Sequence, residues 1–342
     1  EDLIVCSIED IRFLIEPKPI LGEQEILVIF VEFTDVKHSV SVADLIDKLG
    51  DVKGYYVSVS YGQMIPLWYS YSWSDEEAWL TLPHSMSYYG EPGDGEPDKR
   101  WIEFLEDSIE AADPYVDYRR FKRLLIFHAG GDEAMTGNPN DIWSFAVFTL
   151  RINTDDGLVE LSVAVVSESD PIGTIAHELG HTFYLPDLYD YKGKTEFVGH
   201  WCLMAKGSWN GPQGSHGSSP AQLCSWCRLK LGWIDESGVV NVEPGSISNI
   251  SLCALEVPVG YKIVRVRVDD KHYYLVEVRL RSGFDRYLPG EGVLILYVDE
   301  TKGSGEGIVR VVDSTPGDND VDNGVWITGC LLYTSPSPRD RG

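Results

Sequence analysis

Two histidines and a glutamate carry the first chemical signal in this 342-residue chain. They stand together as His177-Glu178-Leu179-Gly180-His181, and histidine is otherwise scarce, with 8 in the whole sequence. On an α-helix, residues four apart lie on one face, about one turn along the axis. Both imidazoles can therefore offer a nitrogen to one cation. Glu178 is offset by one position, beside that cation, where it can take a proton from bound water. Two neutral nitrogen ligands, a nearby base and an open position are what a zinc hydrolase needs. The flanking Ile172, Ile175, Ala176 and Leu179 predict a buried helix. Unpaired polar groups are costly to bury, and a metal satisfies both imidazoles at once. A surface helix with two histidines spaced four apart by accident would not need those apolar flanks.

Two histidines do not complete a zinc site. Asp187 is the next candidate, six residues past His181, with Asp190 and His200 as the nearest substitutes. Pro186 disfavours helical backbone at the residue before it, so the helix should stop nearby and let the chain turn back toward the metal. Met204 follows in the turn-rich stretch Trp201-Cys202-Leu203-Met204-Ala205-Lys206-Gly207-Ser208-Trp209-Asn210-Gly211, placed to form an apolar floor.

These pieces resemble the immune inhibitor A (M6) family of metallopeptidases, secreted zinc proteases grouped with the metzincins. The resemblance rests on His177-Glu178-x-x-His181-x-x-x-x-x-Asp187, Leu185-Pro186-Asp187-Leu188-Tyr189-Asp190 and the Leu203-to-Gly211 stretch. It extends through Ser60-Tyr61-Gly62, Ser87-to-Gly90, His128-to-Gly131 and Ser219-to-Gln222. It implies that His177, His181 and Asp187 ligate zinc, that Glu178 is the general base and that Met204 is the Met-turn residue. One position departs from the pattern. Metzincin-type motifs carry glycine three residues after the second histidine, and here that residue is Tyr184. A non-glycine residue at positive φ is strained, so the turn to Asp187 is either built differently or tolerates that strain.

Composition narrows the partners. The chain has 54 acidic against 28 basic residues, a formal charge of −26. That disfavours nucleic acid, whose phosphates need a basic face. Carboxylates suit calcium, and Asp313, Asp318, Asp320 and Asp322 make a loop that either holds it or is simply solvated. No stretch approaches 18 apolar residues, so no membrane span is expected. The chain begins at Glu1 and reads as a fragment or processed form, consistent with an extracellular or cell-surface protein as the resemblance implies. The segment from Cys330 to Asp340 resembles the translation of a sequencing adapter. Cys224-x-x-Cys227 reads as two core cysteines on one face of a helix over 220–231, because free cysteine is usually buried.

The elements that must position the site follow in order. Residues 1–21 form a lead-in, a propeptide remnant by the resemblance. Glu25–Glu32 and Arg123–Phe127 read as buried strands, and 42–49 and 52–64 as two helices. The aromatic stretch 66–80 reads as strand. Asp98 is placed to cap a helix running to Ala112. Residues 141–150 and 158–166 are β-rich, and the first is the candidate edge strand for pairing with a substrate backbone. Asp170 should cap the active-site helix, with Pro171 in its first turn. From 236 onward, 239–242, 250–252, 261–268, 272–279 and 292–298 predict five strands of a β-sandwich-like module. The expected fold is α+β: a metzincin-like zinc peptidase domain over 22–235, with a mixed sheet and an active-site helix, then a β-rich module over 236–329, with 330–342 an adapter artefact. The expected function is a secreted zinc endopeptidase acting on proteins or peptides. The alternative is a non-catalytic surface or extracellular binding protein with a structural zinc site. The sequence does not address oligomeric state.

Overall fold

The computed structural model describes residues 4–6, 19–93, 98–246, 249–315, 317 and 320–325. Most of the 1–21 lead-in, Asp318 and the whole of 330–342 lie outside the described residues. In chain order the first region holds strand β1 (Ile4–Cys6), β2 (Gly22–Glu32), helix α1 (Val42–Val59), β3 (Met64–Tyr69), the one-turn α2 (Asp75–Ala78), β4 (Trp79–Thr81), the one-turn α3 (Met86–Tyr89), α4 (Trp101–Ala112), β5 (Arg123–His128), the one-turn α5 (Glu133–Thr136), β6 (Phe145–Thr154), β7 (Gly157–Ser167), α6 (Ile172–Thr182) and α7 (Ser225–Lys230). Strands β8 (Val239–Val242), β9 (Ile263–Arg267), β10 (His272–Arg279), β11 (Gly292–Asp299) and β12 (Val309–Val311) follow.

Seven strands make a mixed sheet in the order β1-β6-β7-β5-β2-β3, with β4 also on β2. β7, β5, β2 and β3 run parallel, while β6 is antiparallel to β7. The continuous burial of β2 from Ile26 to Glu32 reflects a strand covered on both faces. Its side chains alternate. Ile26, Val28 and Phe30 join the core beneath α1 and α6, whereas Leu27, Ile29 and Val31 join the core beneath α4.

Three local expectations are corrected. The two helices expected over 42–49 and 52–64 are one, because the buried stripe Leu45, Leu49, Val52, Tyr55, Tyr56 and Val59 runs unbroken past Gly50 and Gly54. Asp98 does not cap α4. Arg100 holds the cap position, and the buried Asp98 carboxylate instead accepts the Trp143 N–H at 3.2 Å. The helix expected over 220–231 begins only at Ser225, with Cys224 at its N-cap.

The second region forms one five-stranded sheet, ordered β12-β11-β10-β9-β8. The strand expected at 250–252 is absent; Cys253 N–H and Leu255 N–H bond Tyr261 and Val278 carbonyls from an irregular segment, and β12 supplies the fifth strand. Among the described residues no further sheet faces this one, so the sandwich-like expectation is met only as a single sheet. Its inner residues Leu275, Leu294, Leu296 and Val298 share one buried cluster with α1, α6, Trp201 and Trp226. A fully buried charge network crosses the same boundary. Arg279 on β10 donates to Asp285 at 2.8 Å, to Glu277 at 3.0 Å and to the Trp201 carbonyl at 2.7 Å. Asp285 and Glu277 in turn accept the backbone N–H groups of Gln222 and Ser225.

Candidate metal centre

Helix α6 lies directly behind β7 in the chain and packs on the sheet beside α1, with His177, Glu178 and His181 all buried. Its N-cap is Pro171 and not Asp170. The Asp170 carboxylate turns away to accept the Ser167 N–H at 2.8 Å and the Ser144 hydroxyl at 2.6 Å, so it braces the turn into the helix without capping it.

The C-terminal end is built as the Tyr184 departure required. Tyr184 has φ +66°, the left-handed region that glycine usually fills. Its N–H bonds the His181 carbonyl at 2.8 Å and the Leu185 N–H bonds the Gly180 carbonyl at 3.3 Å, the paired bonds of a Schellman termination. The Tyr184 ring lies parallel to Phe148 of β6, with centroids 6.1 Å apart. The backbone strain, about 1–2 kcal/mol, is thus borne by a turn held at both bonds and a stacked ring. The reversed chain brings Asp187 back under the helix.

There the donors converge. His177 Nε2 and His181 Nε2 are 3.2 Å apart, and Asp187 Oδ1 lies 3.1 Å from the first and 3.3 Å from the second. Each ring is oriented by its other nitrogen: Nδ1 of His177 donates to the Leu203 carbonyl at 2.8 Å, and Nδ1 of His181 to the Leu185 carbonyl at 2.7 Å. With Nδ1 donating, each Nε2 turns its lone pair toward the other and toward the carboxylate. Three electron-rich atoms so close call for positive charge between them. Ligands held 2.0–2.1 Å from a tetrahedral zinc stand about 3.4 Å apart, close to the separations here, so the residues fit a zinc ion. The pKa directions show the same demand for positive charge in the cluster. Burial would lower both imidazole pKa values, but the adjoining Asp187 more than offsets it and leaves them raised. Burial likewise pushes Asp187 up, and the two histidines more than reverse it, holding its carboxyl well below the usual range. Asp190 and His200, the substitute ligands, are elsewhere. Asp190 accepts the Lys192, Lys194 and Thr195 N–H groups, and His200 pairs with Asp322 at 2.6 Å.

His177 and Glu178 also line a cavity of about 770 Å³, shared with Asp132, Trp143, Thr174, Tyr189 and Phe197. Burial pushes the Glu178 carboxyl up to about 8, against the opposing pull of His177. A carboxyl poised near neutrality at a cavity wall suits proton transfer. Met204 lies against α6 from below. A Cβ on Gly180 would stand 2.7 Å from Met204 Sδ, so glycine inside the motif is what lets that floor close. Leu188 N–H bonds the Met204 carbonyl at 2.7 Å and ties the third-ligand segment to the same floor. His128, at the end of β5, is buried away from the centre with Nδ1 on the Ala129 carbonyl.

Sequence reasoning missed the residues that steady Asp187. Tyr191 donates its hydroxyl to Asp187 Oδ2 at 2.7 Å, and Ser304 Oγ accepts the Asp187 N–H at 3.0 Å while meeting the Tyr191 hydroxyl at 2.8 Å. Ser304 comes from the loop between β11 and β12, and a Cβ on its neighbour Gly305 would run into the Tyr191 ring. Tyr191 stands close enough to the motif to be suspected; nothing in the composition of Gly303-Ser304-Gly305 marks it. The acidic loop is partly committed to other partners: Asp322 is taken by His200, and Asp313 accepts the Thr315 N–H.

The class of protein this defines agrees with comparison to known families. Residues 110–234 match the model described as immune inhibitor A peptidase M6, catalytic domain, which bears out the resemblance to that family. Similar proteins include the pre-pro-metalloprotease PrtV of Vibrio cholerae serotype O1, 29% identical over 205 residues, covering 47% of this chain and 22% of that one. A putative secreted metallopeptidase of Arthroderma benhamiae is 27% identical over 38% of this chain and 25% of its own length. Immune inhibitor A of Bacillus thuringiensis subsp. alesti is 28% identical over 39% and 26%. The matched part thus spans about a quarter of each of these relatives. No helix among the described residues is long and apolar enough to cross a membrane.

Proposed function

We propose that this chain carries the catalytic unit of a secreted or cell-surface, metzincin-like zinc endopeptidase, with the peptidase domain over 22–235 and a β-rich module from 236. His177, His181 and Asp187 would hold the zinc. Zinc bound there supplies a Lewis acid that acidifies its water and polarises a peptide carbonyl. Glu178 accepts the proton of the attacking water and passes it to the leaving amine. Leu203 and Leu185 carbonyls fix the imidazoles with Nε2 free to ligate, and Tyr191 and Ser304 hold the carboxylate in place. β1 pairs with the outer side of β6 at Thr149–Arg151, so β6 is not a free edge strand throughout; its stretch Phe145–Phe148, beside His181, is the proposed rail for an extended substrate backbone. Similar proteins named as a pre-pro-metalloprotease and a putative secreted metallopeptidase support the reading. Calcium on the acidic loop remains a secondary proposal.

The observation that carries this reading is the convergence of His177, His181 and Asp187 on one point, with His177 and the neighbouring Glu178 lining one cavity. The test is digestion of casein by the zinc-loaded chain, with Glu178→Gln alongside. Cleavage should fall by roughly 10²–10⁴ in the variant while bound zinc is retained. Equal cleavage by parent and variant would sink the role given to Glu178.

A further inference from the structure

A second group of metal-ligand side chains lies deeper in the core. Cys202 precedes the floor residues Leu203 and Met204; Cys224 is the N-cap of α7 and Cys227 stands on its first turn. All three are fully buried, and all three thiols lie within 4.8 Å of one another. Cys224 Sγ and Cys227 Sγ are 3.7 Å apart, and Cys202 Sγ and Cys227 Sγ are 3.9 Å apart. Thiolates at 2.3 Å from a tetrahedral zinc stand about 3.8 Å apart, which both separations to Cys227 match. The two-residue spacing of Cys224 and Cys227 is one that zinc-binding turns use, and the third thiol comes from a separate segment, as such sites require. The Cys224 N–H also points at Cys202 Sγ, at 3.3 Å, a donor that would stabilise a thiolate there.

We propose that Cys202, Cys224 and Cys227 bind a thiophilic d¹⁰ cation, zinc or copper(I), as a structural cross-link. Soft thiolate sets select such cations over calcium or magnesium. Among the described residues no fourth His, Cys, Asp or Glu joins the three. The three cysteines are fully buried and line neither of the described cavities, unlike His177 of the nitrogen centre. Its effect is mechanical: the cation fastens the 202–204 floor, and with it the Leu203 carbonyl that orients His177, to the start of α7.

The test uses the full reduced chain with cadmium chloride as the probe. The parent should bind two cadmium ions per chain and show a thiolate-to-cadmium charge-transfer band in the ultraviolet. Cys227→Ser should lose one ion and the band; His181→Ala should lose one ion and keep the band, which preserves the test if the cysteine variant fails to fold. Absence of the band in both parent and His181→Ala would overturn the proposal. So would an undiminished band in Cys227→Ser, or peptide mapping that finds two of the three cysteines joined as a disulfide in the protein as isolated.

Discussion

Among the described residues two buried groups of ligand-type side chains stand out, and they differ in what lies next to them. At the end of α6, two nitrogens and an oxygen converge with separations of 3.1–3.3 Å, and one of the three residues, His177, lines a cavity together with Glu178. Some residues further on, three fully buried sulfurs converge inside the core and line neither of the two described cavities. Closed sites stabilise folds, whereas sites with an open position and an adjacent base do chemistry. The difference also shows how the two are coupled. The floor segment 201–204 touches both, giving one carbonyl to His177, one carbonyl to Arg279 and one thiol to the sulfur group.

Breaking that shared floor should give the largest effect. Arg279→Ala removes the guanidinium that pairs with the buried Glu277 and Asp285 carboxylates. Loss of one partner from a buried ionic network costs about 3–5 kcal/mol. Urea unfolding of the variant should show that drop, and a loss under 1 kcal/mol (roughly a surface ion pair's worth) would detach the network from the floor.

A smaller and more selective effect is expected at Asp187. Tyr191→Phe removes a hydroxyl that bonds the carboxylate at 2.7 Å without touching the sulfur group. Zinc affinity at the nitrogen centre should weaken by about 10–100-fold, as for other partners of metal ligands, with global stability nearly unchanged. Competition with a fluorescent chelator would read it, and unaltered affinity would show that Ser304 and the turn position Asp187 unaided.

The smallest effect concerns pH. The hydrogen bond from His200 to Asp322 raises the imidazole pKa against opposing burial, and the same contact outweighs burial to lower that of Asp322. The histidine's contribution is full below about pH 6.5 and is lost as pH rises through its raised folded value; the aspartate's is full above about pH 3.8 and is lost as pH falls through its lowered one. The stability gap between parent and His200→Asn should therefore be wider near pH 5.5 than near pH 8.5. Because His200 stands just before the floor, a flat gap would mean that this clasp does not help to hold it.

What could be read from sequence follows how local each feature is. The i, i+4 histidines and Glu178 were legible because one helical turn decides them, and β2 and β5 because their apolar runs are unbroken. Tyr184 announced its strain, though not the Schellman bonds and the Phe148 ring that accommodate it. Asp98 and Asp170 looked like helix caps, but tertiary partners at Trp143 and Ser144 took their carboxylates. Ser304 and the meeting of Cys202 with Cys224 and Cys227 depend on contacts between distant segments, which no local pattern carries.

The most direct measurement is an anomalous-difference map at the zinc edge from crystals of the zinc-loaded protein. The account predicts a peak about 2.0–2.2 Å from His177 Nε2, His181 Nε2 and Asp187 Oδ1, with the remaining position facing the cavity beside an unliganded Glu178. No peak there, or a peak whose fourth position is filled by a protein side chain, would contradict it and favour a structural site on a binding protein.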